Sequence, residues 1–232
     1  MRYSAKYSFL ILLFISIFGS GLYAQDFPRL MHFSVFAGEV FPLSDYSSTT
    51  ASNAGYAGSG FCAMVEADKN INENVYWASS VSFAMNNFDK YSLQSSLGNN
   101  LAVLIGNNMG FVSNVSAGMY TSTWLMTGFG FEMPVSPVVK IYSVEQIGLL
   151  ISSFPGISFT NYNTSGTLTP AAGMAFATEL GAGVIIRRIN LGLRYYTGEP
   201  YYKQTLSFSG STVNVKGEFP VTILQFIIGY NF

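Results

Sequence analysis

Apolar and polar residues alternate along much of this chain, most completely over its last twelve positions, Val221 to Phe232. Thr222, Leu224, Phe226, Ile228, Tyr230 and Phe232 fall on one face of an extended segment. Val221, Ile223, Gln225, Ile227, Gly229 and Asn231 fall on the other, which is smaller and more polar. Successive side chains of a strand point to opposite faces, so this period-two pattern predicts a strand. Strands of soluble domains usually run to about 5–6 residues, whereas crossing a bilayer takes about 9–11. The length fits the second case. An edge strand that closes a soluble domain is the other reading of these residues.

The same alternation, broken by turn-forming residues, marks seven earlier strands. They are Met31–Phe41, Gly58–Asp68, Val75–Met85, Gly118–Met133, Val138–Ile151, Gly173–Ile186 and Asn190–Thr197. Short turns are expected near residues 71, 136 and 188. Longer segments rich in Ser, Thr, Asn and Gly are expected at 43–57, 86–115, 152–172 and 198–219. An even number of strands, with short turns at one end and long loops at the other, describes a transmembrane barrel with both termini on the periplasmic, short-turn side. Proline has no ladder donor and is excluded from strand interiors. All eight prolines (28, 42, 134, 137, 155, 170, 200 and 220) fall in expected loops, turns or strand ends. The alternation is weaker in two strands. Glu39 shares a face with Phe33, Val35 and Phe41, and Glu145 shares one with Ile141, Ile147 and Leu149. A β-bulge that shifts register by one residue would turn both acids inward.

The N-terminus carries Arg2 and Lys6, then an apolar run from Phe9 to Phe18, then small residues up to Ala24. This is the layout of a secretory signal peptide, and the run is shorter than the roughly 20 residues of a spanning helix. Cleavage is expected after Ala24, which leaves residues 25–232 as one domain. Removing Arg2 and Lys6 changes the charge count from 11 basic and 12 acidic to 9 and 12, a net −3. With no basic cluster, nucleic-acid binding is not expected. Only 10% of residues are charged while 16% are aromatic. A soluble chain of this size would show more charge on its surface; a barrel facing lipid accounts for the shortage.

Signal peptide, eight amphipathic strands and the terminal Tyr230-Asn231-Phe232 resemble the small outer-membrane β-barrels of the OmpA/OmpX-like, "porin family" type. The resemblance spans residues 31–232 at the level of pattern. It implies an eight-stranded antiparallel up-and-down barrel in the outer membrane of a Gram-negative cell. It also implies that Phe226, Ile228, Tyr230 and Phe232 form the insertion signal read by the barrel-assembly machinery, with periplasmic chaperones as partners during biogenesis. No catalytic motif comes with it.

An eight-stranded barrel encloses a space that its own side chains fill. Intramembrane ionisable groups avoid lipid and find partners. Glu39, Glu66, Glu145, Glu179 and Arg194 are therefore the candidate interior network, either a structural polar core bridged by Arg194 or a path for protons or cations. Cys62 is the only cysteine, so no internal disulfide can form. The one histidine, His32, opens the first strand at the periplasmic end. An acyl-transferring or lipid-hydrolysing barrel needs a histidine near the outer rim. No metal cluster or nucleotide-binding loop is apparent, and no cofactor is expected. The sequence thus points to a non-enzymatic outer-membrane protein, serving membrane integrity or surface interaction through its loops. A narrow pore and a lipid A-modifying enzyme stand as the alternatives. The partners expected are outer-membrane lipid and a protein or surface ligand at the four long loops, where Leu101–Ile105 adds an apolar stretch.

Overall fold

Extended backbone with a two-residue period leaves every strand one apolar face and a ladder edge on each side. Closing the sheet on itself satisfies those edges. The computed structural model describes residues 31–50, 54–96, 114–161, 164–208 and 210–232. The expected signal peptide, residues 1–24, and the apolar stretch Leu101–Ile105 lie outside the described residues. Thirteen strands are found among the described residues: β1 (Met31–Pro42), β2 (Ala57–Asn70), β3 (Val75–Phe88), β4 (Asn114–Ala117), β5 (Tyr120–Ser136), β6 (Val139–Phe154), β7 (Ile157–Asn161), β8 (Thr164–Leu168), β9 (Ala171–Ile186), β10 (Ile189–Gly198), β11 (Tyr201–Phe208), β12 (Ser211–Glu218) and β13 (Val221–Asn231). Eight of them close a barrel in the order β1-β13-β10-β9-β6-β5-β3-β2. Every neighbouring pair is antiparallel.

The registers fix the tilt. The pairings run from His32 through Asp68, Ala78, Gly128, Gln146, Glu179, Tyr196 and Ile223 to Pro42. One circuit of eight steps therefore returns to β1 ten residues higher. This stagger goes with strands tilted by roughly 35–45° and an interior only wide enough for side chains. It also grades height. Gln146 is four steps from His32 and four from Pro42, so it lies halfway up the wall.

The strands overrun their expected limits, mostly at the long-loop end. β3 continues to Phe88, and β5 runs through Pro134 to Ser136. A register shift between Pro134 and Ser136 absorbs the missing proline donor. The long loops are not wholly irregular. β12-β11-β8-β7-β4 make a second, five-stranded sheet, in which β11 pairs with β8 and β7 with β4. These are pairings between different loops.

The outer wall is apolar. Phe33, Val65, Val81, Leu125, Leu149, Phe176, Leu193 and Ile228 are all large, hydrophobic and exposed. A water-facing surface does not carry such an unbroken belt, whereas a lipid-facing one requires it. Among the described residues no helix is long and apolar enough to cross a membrane. Strands make this wall.

Candidate functional site

The interior is built by the second residue of each alternating pair. Around mid-height these residues are polar; nearer the short turns the face is mixed, and Tyr76, Ala78 and Val144 are buried together. Arg194 on β10 is fully buried and lies over Gly181 of β9, where a Cβ would collide with its side chain. Its guanidinium donates through Nη1 to Glu179 Oε1 at 2.8 Å, and through Nη2 to Glu66 Oε2 at 3.0 Å and Oε1 at 3.2 Å. Glu179 is on the adjacent strand, whereas Glu66 on β2 is reached across the lumen. One fork thus ties opposite walls together, which the planar five-donor guanidinium does better than a lysine. The Tyr142 ring lies 5.4 Å from the guanidinium carbon. Below and beside this cluster, Ser80 donates to Gln146 Oε1 at 2.7 Å. Ser82 and Gln225 exchange bonds of 3.1 and 3.3 Å.

Toward the long loops the same inward face becomes apolar and tightly closed. Trp124, Tyr196, Leu150, Ile223 and Val40 are completely buried. The Trp124 and Tyr196 rings lie 5.0 Å apart. Above them Tyr46, in a short 3-10 turn (Ser44–Tyr46), packs against Tyr120 at 5.0 Å and Phe219 at 6.3 Å. Phe154 bridges Tyr120 at 5.1 Å and Tyr202 at 5.8 Å. The Tyr120 hydroxyl donates to the Gly55 carbonyl at 2.7 Å, so the loop after β1 is fastened across the mouth. Burial raises the Tyr46 hydroxyl well above its ordinary value and pushes Tyr202 up to about 12. Both stay neutral phenols at any physiological pH.

Of the five acids and bases expected inside, the structure brings together Glu66, Glu179 and Arg194. Glu39 and Glu145 stand on the outer wall. The β1 ladders run unbroken past Glu39, which pairs with Phe61 and Phe226. The β6 ladders run unbroken past Glu145, which pairs with Phe129 and Leu180. No bulge turns either residue, so period two overrides the tendency of charge to face inward. Phe226, Ile228, Tyr230 and Phe232 all lie exposed on the outer face of the closing strand and just beyond it. Tyr142, Tyr196 and Tyr202, near strand ends, are buried rather than turned to the outer wall. The residues not anticipated were Gln146 and Gln225, and the Tyr46–Tyr120–Phe219 layer. A polar amide in an otherwise apolar strand was the available signal for the first two.

His32 sits at the short-turn end, far from the loops, and among the described residues no group of three metal-ligating side chains comes together. The interior can therefore lock and seal, but among the described residues it presents no nucleophile beside a base.

The architecture is an eight-stranded, closed antiparallel β-barrel with an apolar outer wall, the fold expected of a small outer-membrane barrel. No protein-family model matches the chain, and no curated protein matches it. Solved structures do. A major outer membrane protein from Thermus thermophilus is similar with a TM-score of 0.49 at 12% identity, covering 88% of this chain and all of that one. Ail, the attachment invasion locus protein of Yersinia pestis, gives 0.43 at 12% identity, covering 87% of this chain and 97% of that one. Neisserial surface protein A gives 0.40 at 12% identity, with 87% and 95% covered. Such identities carry no residue-by-residue correspondence.

Proposed function

We propose that this chain is a non-conducting, non-enzymatic outer-membrane protein whose working surface is the sheet formed by its long loops. The observation that carries this reading is the contrast above and below the mouth. Tyr46, Tyr120 and Trp124 are at most 1% exposed and fill the barrel's upper bore. Over them β11 and β12 present a hairpin in which Tyr201, Val213 and Val215 are open to solvent. A protein built to pass solutes would not spend its largest aromatic side chains on closing its own bore. A surface raised on a rigid scaffold is where recognition residues usually lie. Both termini would face the periplasm and the loop sheet would face outward. The remote position of His32 supports leaving lipid chemistry out of this reading.

The test is osmotic swelling of liposomes that hold the refolded protein. Swelling in small sugars is expected to match lipid alone; uptake of those sugars would instead make the protein a pore. Mass spectrometry of lipid A from a deletion strain checks the enzymatic alternative, and an unchanged acyl profile is expected. Deleting the β11–β12 hairpin is expected to abolish binding of cells or matrix to the protein while the barrel still folds.

A further inference from the structure

Glu145 is the anomaly of the outer wall. Gln146 marks the half-height of the barrel, so Glu145 beside it faces the middle of the bilayer, between Phe129 and Leu180. Glu39 also faces out, but it sits near the top of β1, close to the headgroups. A carboxylate at mid-depth is costly in hydrocarbon and calls for a polar partner. Among the described residues Glu145 makes no hydrogen bond or ion pair of its own within 4.0 Å.

Hydroxyls at nearly the same height lie one and two strands away along the same wall. The strands tilt, so stepping down one strand while crossing to the next keeps height nearly constant. Ser79 on β3 and Thr127 on β5 are therefore almost level with Glu145 on β6. Ser79 Oγ and Thr127 Oγ1 lie 2.8 Å apart. Trp77 Nε1 donates to Ser79 Oγ at 3.3 Å, and Thr127 Oγ1 reaches the Ala78 carbonyl at 3.3 Å. When Thr127 gives its single proton to Ser79 rather than to the Ala78 carbonyl, Ser79 accepts from both Trp77 and Thr127, and its own proton is free for a further acceptor. The wall is shallowly indented at this point. Ala67, Ser79 and Thr127, flanked by Val65, Val81 and Leu125, line an open groove on the lipid side.

We propose that two copies of this chain pair side by side in the membrane through β3, β5 and β6, each seating its Glu145 in the other's groove against Ser79. This rests on the outer-membrane reading above. Two copies inserted the same way are related by a two-fold axis along the membrane normal, which preserves height and exchanges left for right. With that axis near Thr127, Glu145 of one copy meets Ser79 of the other, and the contact occurs twice. Acceptor, donor and hollow all lie on one wall of one chain. That self-complementarity is what selects a second copy over a different partner.

The test uses the full chain with Cys62→Ala, expressed in two tagged forms. Glu145→Cys in one and Ser79→Cys in the other should give a disulfide-linked heterodimer on mild oxidation of intact membranes, several-fold above a pairing of Glu145→Cys with Ile228→Cys on β13, four strands from β5 on the opposite wall. Equal cross-linking to both positions, or none, overturns the interface, as does capture of a different polypeptide by Glu145→Cys. Heat-dependent gel mobility and membrane fractionation of the same samples report the barrel independently. A folded, membrane-bound and uncross-linked protein sinks only the dimer, whereas a soluble one sinks the membrane reading with it. In the otherwise native chain, Glu145→Leu should weaken self-association by roughly tenfold or more, since two charge-assisted hydrogen bonds are lost. An unchanged dimer fraction in that variant would also overturn the contact.

Discussion

The two halves of the barrel interior solve the same packing problem in opposite ways. Around mid-height, a few ionised and amide groups hold one another across the lumen, and their geometry is set by hydrogen bonds. Toward the loops, aromatic and aliphatic side chains fill the space by contact, with fully buried Trp124, Leu150 and Ile223 at the centre. The first arrangement is specific but fragile, because removing one member strands the others in a low-dielectric space. The second degrades by the volume removed. The seal belongs to the loop end and the cross-lumen tie to the middle.

Breaking the tie should cost most. Arg194→Leu leaves Glu66 and Glu179 buried without a counter-charge, and removal of one partner from such a cluster costs about 3–5 kcal/mol. The expected readout is a large drop in the temperature at which the folded gel band is lost in detergent. Replacing all three residues with Leu should recover most of that drop, since no buried charge is then uncompensated. If Arg194→Leu melted like the wild type, the tie would not hold the walls together.

Trp124→Ala tests the other half. A large aromatic cut to alanine in a packed interior costs about 3–5 kcal/mol, at the low end where neighbours can collapse into the space. Tyr196 at 5.0 Å is placed to do so, so the loss should be smaller than for Arg194. Liposome swelling should stay at background, because the Tyr46–Tyr120–Phe219 layer still closes the bore above. Sugar uptake by this variant would show that Trp124 alone is the seal.

The contrast between the halves was only partly legible in the sequence. Period-two alternation specified the strands and their faces, because side-chain direction in a strand follows from position alone. Glu66, Glu179 and Arg194 were placed inside because charge avoids lipid, and at those three positions the strand faces agree. Glu39 and Glu145 were misdirected by a rule about residue type. Charge avoids lipid on average, but a continuous ladder cannot turn one residue around, and in each strand a whole apolar face outweighed one carboxylate. The aromatic seal was hidden because its members come from loop, strand and strand end: Tyr46, Tyr120 and Phe219. Nothing local links them. The pairing of β11 with β8 was hidden too, since both lie in polar segments whose register is set by neighbouring loops.

Glycine shows the same limit on a smaller scale. Gly130 reads in sequence as a bend, yet it is the seat of the Tyr76 ring, where a Cβ would collide with that ring. Gly130→Ala should cost about 1–3 kcal/mol as an overpacked core position. Trimming the ring with Tyr76→Ala should remove the penalty specific to Gly130. At Gly217 on β12 an added methyl would meet nothing within 4 Å, so Gly217→Ala should leave the melting temperature unchanged. Equal effects at the two glycines would mean that backbone freedom, not ring packing, is what Gly130 supplies.

The smallest effect lies outside the membrane, where a polar cap works without the low dielectric that makes the Arg194 cluster fragile. Asp89 follows β3 and caps the helical turn at 90–96, its Oδ1 accepting from the Ser92 amide at 3.0 Å and its Oδ2 from the Ser92 hydroxyl at 2.6 Å. These bonds favour the ionised form and lower its pKa. A carboxyl lowered in the folded state gives its full stabilisation above the pKa of the unfolded aspartate, about 4, and loses it as the pH falls through the lower native value. Amide exchange at Ser92 and Leu93 should therefore quicken on acidification below about pH 4, once corrected for intrinsic rates. Asp89→Ala should lose about 0.5–2 kcal/mol of local protection at neutral pH. Asp89→Asn, also a good cap, should keep most of the protection and lose its pH dependence. The barrel's melting temperature should not move in either variant, because the Asp89 carboxylate bonds to Ser92 within the turn. A cap that shifted global melting would instead tie the loops to the aromatic seal beneath them.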